Sequence, residues 1–299
     1  MERGSTITGD ALNPTTIKWV KGELIGRGTY ADVYLALNVA TGEMMAVKQA
    51  EMPQTTDGES DVRKASIIED LEAEQKILEK LEHSNIVQYL GFEKTKEFFS
   101  VFLEYIPGGS LGSVLRRHGK LEENIIKSFT KQIIEGLAYL HANNIIHRDI
   151  TADNILVNPS GNCKIASFGS STQSAAQDIY DNAATTTIQG SLFWMAPEMM
   201  HNGQGYGAKI DIWSLGCVFL EMFTGRRPWD GDEAVSVMFK VGHERMAPPV
   251  PSHVHLSADA EDFRLKCFAQ DPDERPTAES LKGHPWLELP PGWEFEGFY

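Results

Sequence analysis

The chain is short of cationic residues. Its 299 residues carry 27 Lys and Arg against 42 Asp and Glu, a net charge of −15. Bulk binding to nucleic acid or to an anionic membrane needs a basic face, and this composition argues against both. The plain use of the acid excess is solubility; the sharper one is attraction of basic partners or substrates. Cysteine is scarce as well. Cys163, Cys217 and Cys267 are widely spaced, with neither a metal-ligand pattern nor a disulfide framework, which fits a reduced intracellular compartment. Long apolar runs are missing too. The longest, Ile212 to Leu220, is flanked by Asp211 and Glu221 and is too short to cross a bilayer. Residues 1–14 lack the apolar core of a signal peptide. The expectation is a cytoplasmic protein with no nucleic-acid partner and no membrane insertion.

What is present is enough apolar residue, 41%, for one large domain or two lobes. No internal repeat is evident. Residues 1–16 are polar and read as a tail. Residues 17 to 102 show mostly short β-rich runs. Val33 to Leu37 and Met44 to Val47 are separated by the turn signal Thr41-Gly42. Ile86 to Leu90 and Phe98 to Leu103 read as further strands. Gln54 to Lys64 reads as a polar loop, followed by a helix over Ala65 to Leu81. Pro107-Gly108-Gly109-Ser110 breaks this pattern, and the chain then turns helical. Ile126, Phe129, Ile133, Leu137 and Leu140 recur as on one buried helix face. Asp211 to Phe223 is apolar nearly all round, as a central helix would be. At the end, Trp293, Phe295, Phe298 and Tyr299 stand among Pro, Gly and Glu; packing back onto the domain is the expectation, docking a partner the alternative.

Two local patterns carry chemistry. Gly26-Arg27-Gly28-Thr29-Tyr30-Ala31 is a glycine-rich stretch of the kind that brings backbone N–H groups close to phosphate. A dinucleotide fingerprint must open a helix, but here a strand follows; the remaining alternative is an ordinary hairpin turn. In the 65–81 helix, Ile67, Leu71, Glu74, Leu78 and Leu81 share one face. Glu74 therefore lies on an apolar stripe and needs a cation or donors. Lys48, after the run Met45-Ala46-Val47, is the natural partner; a Glu at the stripe's margin is the alternative.

His147-Arg148-Asp149 followed by Asn154 keeps the spacing H-R-D-x-x-x-x-N. With the glycine-rich hairpin, Met45-Ala46-Val47-Lys48, Ser167-Phe168-Gly169, Gly190 to Glu198, Asp211 to Gly216 and Arg275, the chain resembles a protein kinase of the Ser/Thr type over roughly residues 17–288. The segments His83 to Gly91, Phe193 to Glu198, Glu221 to Trp229 and His284-Pro285-Trp286 look like fungal MAP kinase kinase kinases. The resemblance implies an α+β, bilobal fold. It would have a small β-rich lobe over 17–106 with one key helix, a mainly α-helical lobe over 107–288, a cleft near residue 106 and a tail over 289–299.

The resemblance also implies roles. Ile25, Gly26, Gly28, Val33, Ala46, Lys48, Glu104, Ile106 and Leu156 would hold ATP, with Leu103 as gatekeeper. Lys48 and Glu74 would form an ion pair, and Asp149 would accept the substrate hydroxyl's proton. Asn154 would bind magnesium, His147 would stack with Phe168, and Arg148 would steady the loop. Asp211 would hold the catalytic-loop backbone, and Arg275 would pair with Glu198. Thr185, Thr186, Thr187 and Ser191 are candidate phosphosites, or simply solvated loop residues.

Four positions depart from the family pattern. Ala31 replaces the third glycine. Thr151 stands where a lysine offsets charge on the transferred phosphoryl group, a contact of a kind worth on the order of 10²–10³ in rate. Ser167 stands at the metal position, where the family has Asp, and a hydroxyl is a poor ligand for a hard dication. Ser191 replaces a threonine that touches the same corner. The expectation is ATP binding with weakened Mg2+ dependence and weak or absent phosphoryl transfer: a pseudokinase working through MAP kinase pathway partners, an upstream activator or a downstream MAP kinase kinase. A residually active kinase acting on a MAP kinase kinase and a scaffold that binds no nucleotide are the alternatives.

Overall fold

The structure is a computed structural model that describes residues 17–28, 31–54, 59–174, 178–180, 191–200 and 205–298. The polar tail over 1–16 and the candidate phosphosites Thr185, Thr186 and Thr187 lie outside the described residues. The chain divides into two compact units, Met1–Glu82 with Val87–Tyr105, and His83–Ile86 with Ile106–Tyr299. The fold class is α+β.

The first unit is built on a five-stranded antiparallel sheet in the order β1-β2-β3-β5-β4. Its strands are β1 (Trp19–Arg27), β2 (Asp32–Asn38), β3 (Met44–Glu51), β4 (Tyr89–Lys94) and β5 (Phe98–Glu104). Alternation along β3 sorts its side chains. Met45 and Val47 join Ala36 and Phe102 in one apolar cluster, with Ile17 and Trp19 against it. On the opposite face, Ala50, Phe99 and Val101 pack with Ala31, Ile68 and Leu71. The last two come from α1 (Glu59–Leu78).

Two boundaries differ from the sequence expectation. Helix α1 begins at Glu59, inside the stretch read as a polar loop, because Asp61 to Lys64 contains no Gly or Pro and Arg and Lys are good helix formers; polarity there marks exposure, not a break. It ends at Leu78, and Lys80 and Leu81 continue in tighter i→i−3 bonds to Ile77 and Leu78. Strand β4 begins at Tyr89 instead of Ile86. The Ile86 N–H turns back onto His83 O, and Ile86 bridges Ile165 within the second unit.

The second unit is mainly helical. Its α2 (Leu111–His118) starts at Ser110, whose hydroxyl accepts the Ser113 N–H at 3.0 Å. The apolar stripe of α3 (Glu123–Ala142) is buried at Ile126, Phe129, Ile133, Leu137 and Leu140. Helix α4 (Lys209–Thr224) is buried on every side from Lys209 to Phe223, and Phe219 meets Phe263 and Trp286 with ring centroids at 5.3 and 4.9 Å. Shorter helices follow: α5 (Ala234–Met238), α6 (Ala258–Cys267) and α7 (Ala278–Leu281). Two short strand pairs escaped the sequence reading because two or three residues carry no periodicity. They form from β6 (Ile145–Ile146) with β9 (Thr172–Gln173), and β7 (Ile155–Val157) with β8 (Cys163–Ile165), besides the isolated bridges Ile86–Ile165 and Ser110–Leu156. Two of the C-terminal aromatics pack back: Phe295 and Phe298 lie 5.6 and 6.0 Å from the Phe129 ring, while Tyr299 lies outside the described residues. All three cysteines are free and buried. Among the described residues no helix is long and apolar enough to cross a membrane.

Candidate functional site

In the first unit, the strand register gathers the expected nucleotide residues on one sheet face. Val33 lies opposite Lys48, and Ala46, two residues back from Lys48, lies opposite Leu103 on β5. Helix α1 covers this face, and Glu74, buried on the apolar stripe, accepts a 2.5 Å bond from Lys48 Nζ. The ion pair expected from the helix periodicity therefore forms, and the reading of Glu74 as a marginal residue falls. Only 16% of the Lys48 side chain and 3% of that of Glu74 are exposed. Removing one partner would leave the other buried and uncompensated.

The glycine hairpin joins β1 to β2, with Gly26 opposite Val33. Gly28 donates its N–H to Ala31 O at 3.0 Å, and a Cβ at Gly28 would stand 2.8 Å from that same oxygen. The turn's own carbonyl thus demands a glycine. Ala31 is buried in the cluster with Ala50 and Leu71, so its methyl group is used in packing. Ile25 is exposed. Glu104 ends β5, accepts the Gln88 N–H on its carboxylate at 2.6 Å and donates its own N–H to Gln88 O.

In the second unit, Ile106 O accepts the Gly109 N–H, and Leu156 lies on β7 opposite Lys164. The segment between β6 and β7 carries the expected catalytic residues. Asp149 is held from two sides. Its Oδ1 accepts both the Ser191 N–H (3.0 Å) and the Ser191 hydroxyl (2.8 Å). Its Oδ2 accepts the Asn154 amide at 2.9 Å, and the same amide donates to Asp149 O at 2.8 Å. Thr151 is buried at the start of the 3-10 turn Ala152–Asn154 and makes no side-chain cap bond.

Backbone is pinned here by a buried carboxylate. Asp211, at the start of α4, accepts the N–H groups of His147 and Arg148 at 2.9 Å each and a bond from His141 Nε2 at 2.9 Å. Burial alone would raise its carboxyl, but these bonds and the two nearby imidazoles outweigh burial and hold it below the ordinary value. Arg148 takes φ 67° and donates its Nε to Ser170 O. His147 stacks edge-on with buried Phe168 at 5.0 Å and contacts Ala166 O at 3.0 Å. Ser167, between them, is exposed and left-handed at φ 65°, a conformation that Asp adopts more readily than most residues.

Arg275 is fully buried and grips Glu198 with two bonds of 2.5 and 2.9 Å. One contributor was missed from sequence. Glu221 accepts the Trp194 indole N–H at 2.6 Å and the Ala152 N–H at 3.3 Å. Burial pushes its carboxyl up to about 8, against the lowering effect of those two bonds. The signal was a lone carboxylate in the otherwise apolar 212–223 run.

A dication fits this donor set poorly. Asn154 donates its amide N–H to Asp149 and so has only its carbonyl oxygen to offer, and Ser167 offers a neutral hydroxyl in place of a carboxylate. Among the described residues there is no group of three or more His, Cys, Asp or Glu able to hold a metal. The residues that would hold a nucleoside triphosphate in the first unit fit that group: Lys48 is charge-paired with Glu74 and held on the same sheet face as Val33 and Ala46.

A unit with a hairpin-bearing antiparallel sheet and a strand–helix ion pair, followed by a helical unit with an H-R-D segment pinned by a buried Asp, defines the protein kinase fold. The protein kinase domain family matches residues 19–287, and the chain belongs to that family. Its relatives narrow the type. Over 98% of its length it is 50% identical to MAP kinase kinase kinase mkh1 of Schizosaccharomyces pombe. It is 49% identical over 93% to Serine/threonine-protein kinase BCK1/SLK1/SSP31 of Saccharomyces cerevisiae, and 45% identical over 93% to Mitogen-activated protein kinase kinase kinase A of Dictyostelium discoideum. The chain is a kinase domain of this type, and such domains use ATP and magnesium. It spans 26%, 19% and 29% of the length of those three relatives.

Proposed function

We propose that this kinase domain binds ATP, transfers phosphate weakly or not at all, and acts in a MAP kinase cascade by binding an upstream activator or a downstream MAP kinase kinase. The observation that carries this reading is Ser167, a neutral, exposed hydroxyl where a metal-binding carboxylate is expected. Thr151 compounds it by removing a positive charge on the reacting side. The two losses act on one group and need not add. What remains supports binding: Lys48 with Glu74 would hold the phosphates, and Val33, Ala46, Leu156, Glu104 and Ile106 would hold the base. ATP, when bound, supplies the phosphoryl group. Asp149 would orient an incoming hydroxyl and take its proton, and the Ser191 and Asn154 bonds keep its carboxylate in one position.

The second reading, a residually active Ser/Thr kinase on a MAP kinase kinase, is favoured by that ordered Asp149 and by the relatives' names. One comparison separates the readings: phosphoryl transfer by the wild-type chain, Ser167→Asp, Thr151→Lys and the double variant, with calorimetric ATP titration with and without magnesium. Ordinary turnover by the wild-type chain would overturn the first reading. ATP binding to none of the four proteins would leave only the scaffold.

A further inference from the structure

Asp178, Ile179 and Tyr180 lie in the polar stretch after β9, yet they are seated closely on the start of α4. Ile179 is 5% exposed, and its carbonyl accepts the Ala208 N–H at 3.0 Å. Asp178 Oδ1 accepts the Tyr180 N–H at 2.9 Å, which turns the backbone locally. Gly207 makes room for the seat: a Cβ there would stand 2.7 Å from Tyr180 C and O and 2.8 Å from Ile179 O. The Lys209 ammonium, held by Pro272 O and Arg275 O, lies 5.5 Å from the centre of the Tyr180 ring. Backbone bonds, a ring contact and a close approach at glycine agree on one position for these three residues.

The Tyr180 hydroxyl reaches further in. It lies 3.3 Å from His141 Nδ1, and the two rings meet edge-on at 5.7 Å. His141 is buried, and its Nε2 lies 2.9 Å from Asp211 Oδ2. Asp211 is held below the ordinary carboxyl value, and as a carboxylate it can only accept. Nε2 therefore carries the ring proton, and Nδ1 is left to accept. The phenol can supply that bond: burial, with the Asp211 and Asp178 charges, pushes its pKa up to about 12, so it keeps its proton. Asp211 Oδ2 also takes the His147 N–H, and Oδ1 takes the Arg148 N–H. Three side chains thus form one hydrogen-bonded chain, from the seated residues to the backbone just ahead of Asp149.

We propose that Tyr180 is a positioning residue of the catalytic segment: its hydroxyl donates to His141 Nδ1, fixes that ring against Asp211, and so orders the His147 and Arg148 amides. Buried hydrogen bonds linked in this way support one another. Ser191 bonds Asp149 directly, so the segment is held at a second point by Tyr180, acting through His141 and Asp211. The inference concerns order within the second unit and holds whether or not the chain binds ATP or transfers phosphate.

Amide hydrogen exchange followed by NMR tests it on the purified wild-type chain and Tyr180→Phe, which keeps the ring and its packing and removes only the hydroxyl. The expected result is exchange of the His147 and Arg148 amides faster by about fivefold, the scale of one lost hydrogen bond. The Ile133 and Leu137 amides of α3, which report opening of the whole unit, should not change. In the wild-type chain, the nitrogen resonance of His141 Nδ1 should be that of an unprotonated, bond-accepting atom, and it should shift in Tyr180→Phe. Equal acceleration at the α3 amides would mean that Tyr180 serves general packing and overturns the proposal. Unchanged exchange at both His147 and Arg148 overturns it as well, and so does a wild-type Nδ1 that already carries a proton at neutral pH.

Discussion

The Lys48–Glu74 pair and the Asp149 cluster invite comparison because both are expected to serve the same reaction. In the first, a cation and an anion meet at 2.5 Å across a strand and a helix. In the second, the carboxylate is kept but its companions are hydroxyl and amide groups: Ser191, Asn154, and nearby Thr151 and Ser167. The second unit has not shed charge in general. Asp211 still carries two backbone amides and a histidine, and Arg275 still grips Glu198. Charges that hold the backbone persist, while the two that the resemblance assigns to the reaction, at the metal position 167 and the phosphoryl-facing position 151, are replaced by hydroxyls. The contrast teaches that fold and chemistry place separable demands on the same segment.

Restoring the second region should erase the contrast. Ser167→Asp with Thr151→Lys is expected to raise phosphoryl transfer by on the order of 10²–10³, read with radiolabelled ATP. The left-handed backbone at 167 should accept Asp without strain. A double variant no faster than the wild-type chain would mean that the damage extends beyond these side chains.

Breaking a structural charge should instead cost stability. Arg275→Met leaves Glu198 without its partner and two backbone carbonyls, Ala269 O and Lys209 O, without their donor. A loss of about 3–5 kcal/mol is expected by denaturant titration. Lys48→Met tests the first region. ATP affinity should drop about tenfold or more in calorimetry, the scale of a lost charge-assisted bond, with little change in the Asp149 cluster.

Glu221 supplies a pH test. Its carboxyl titrates near 8 in the fold against an ordinary 4.5, so between those values the folded chain holds a proton that the unfolded chain has released. Stability should therefore fall as pH rises from about 4.5 through about 8, and Glu221→Gln should flatten that slope in thermal unfolding. The smallest effect is expected at the exposed Arg226–Asp230 pair, where Asp230→Asn should change stability by less than about 1 kcal/mol.

Much of this was legible in the chain itself. The periodicity of Ile126 to Leu140 named the buried face of α3, and the spacing of Leu71, Glu74 and Leu78 called for a cation. The start of α1 was not legible, since polar helix-formers and a polar loop have the same composition. Nor were the two-residue strands β6 and β9, or the bond from Glu221 to Trp194, which depends on a contact across 27 positions. The corner at Asp149 was half legible. The replacement by Ser191 could be read, but the double bond it makes to one oxygen is a matter of coordinates.

Gly28 carries a last consequence. Its missing side chain is demanded by Ala31 O, an atom of the hairpin itself. The glycine would thus be retained by any descendant that keeps the turn, including one that had given up its nucleotide. Motif survival at such a position is a record of architecture, and a scan for functional ancestry should weigh it below a residue like Ser167, which no neighbouring backbone atom obliges to be what it is.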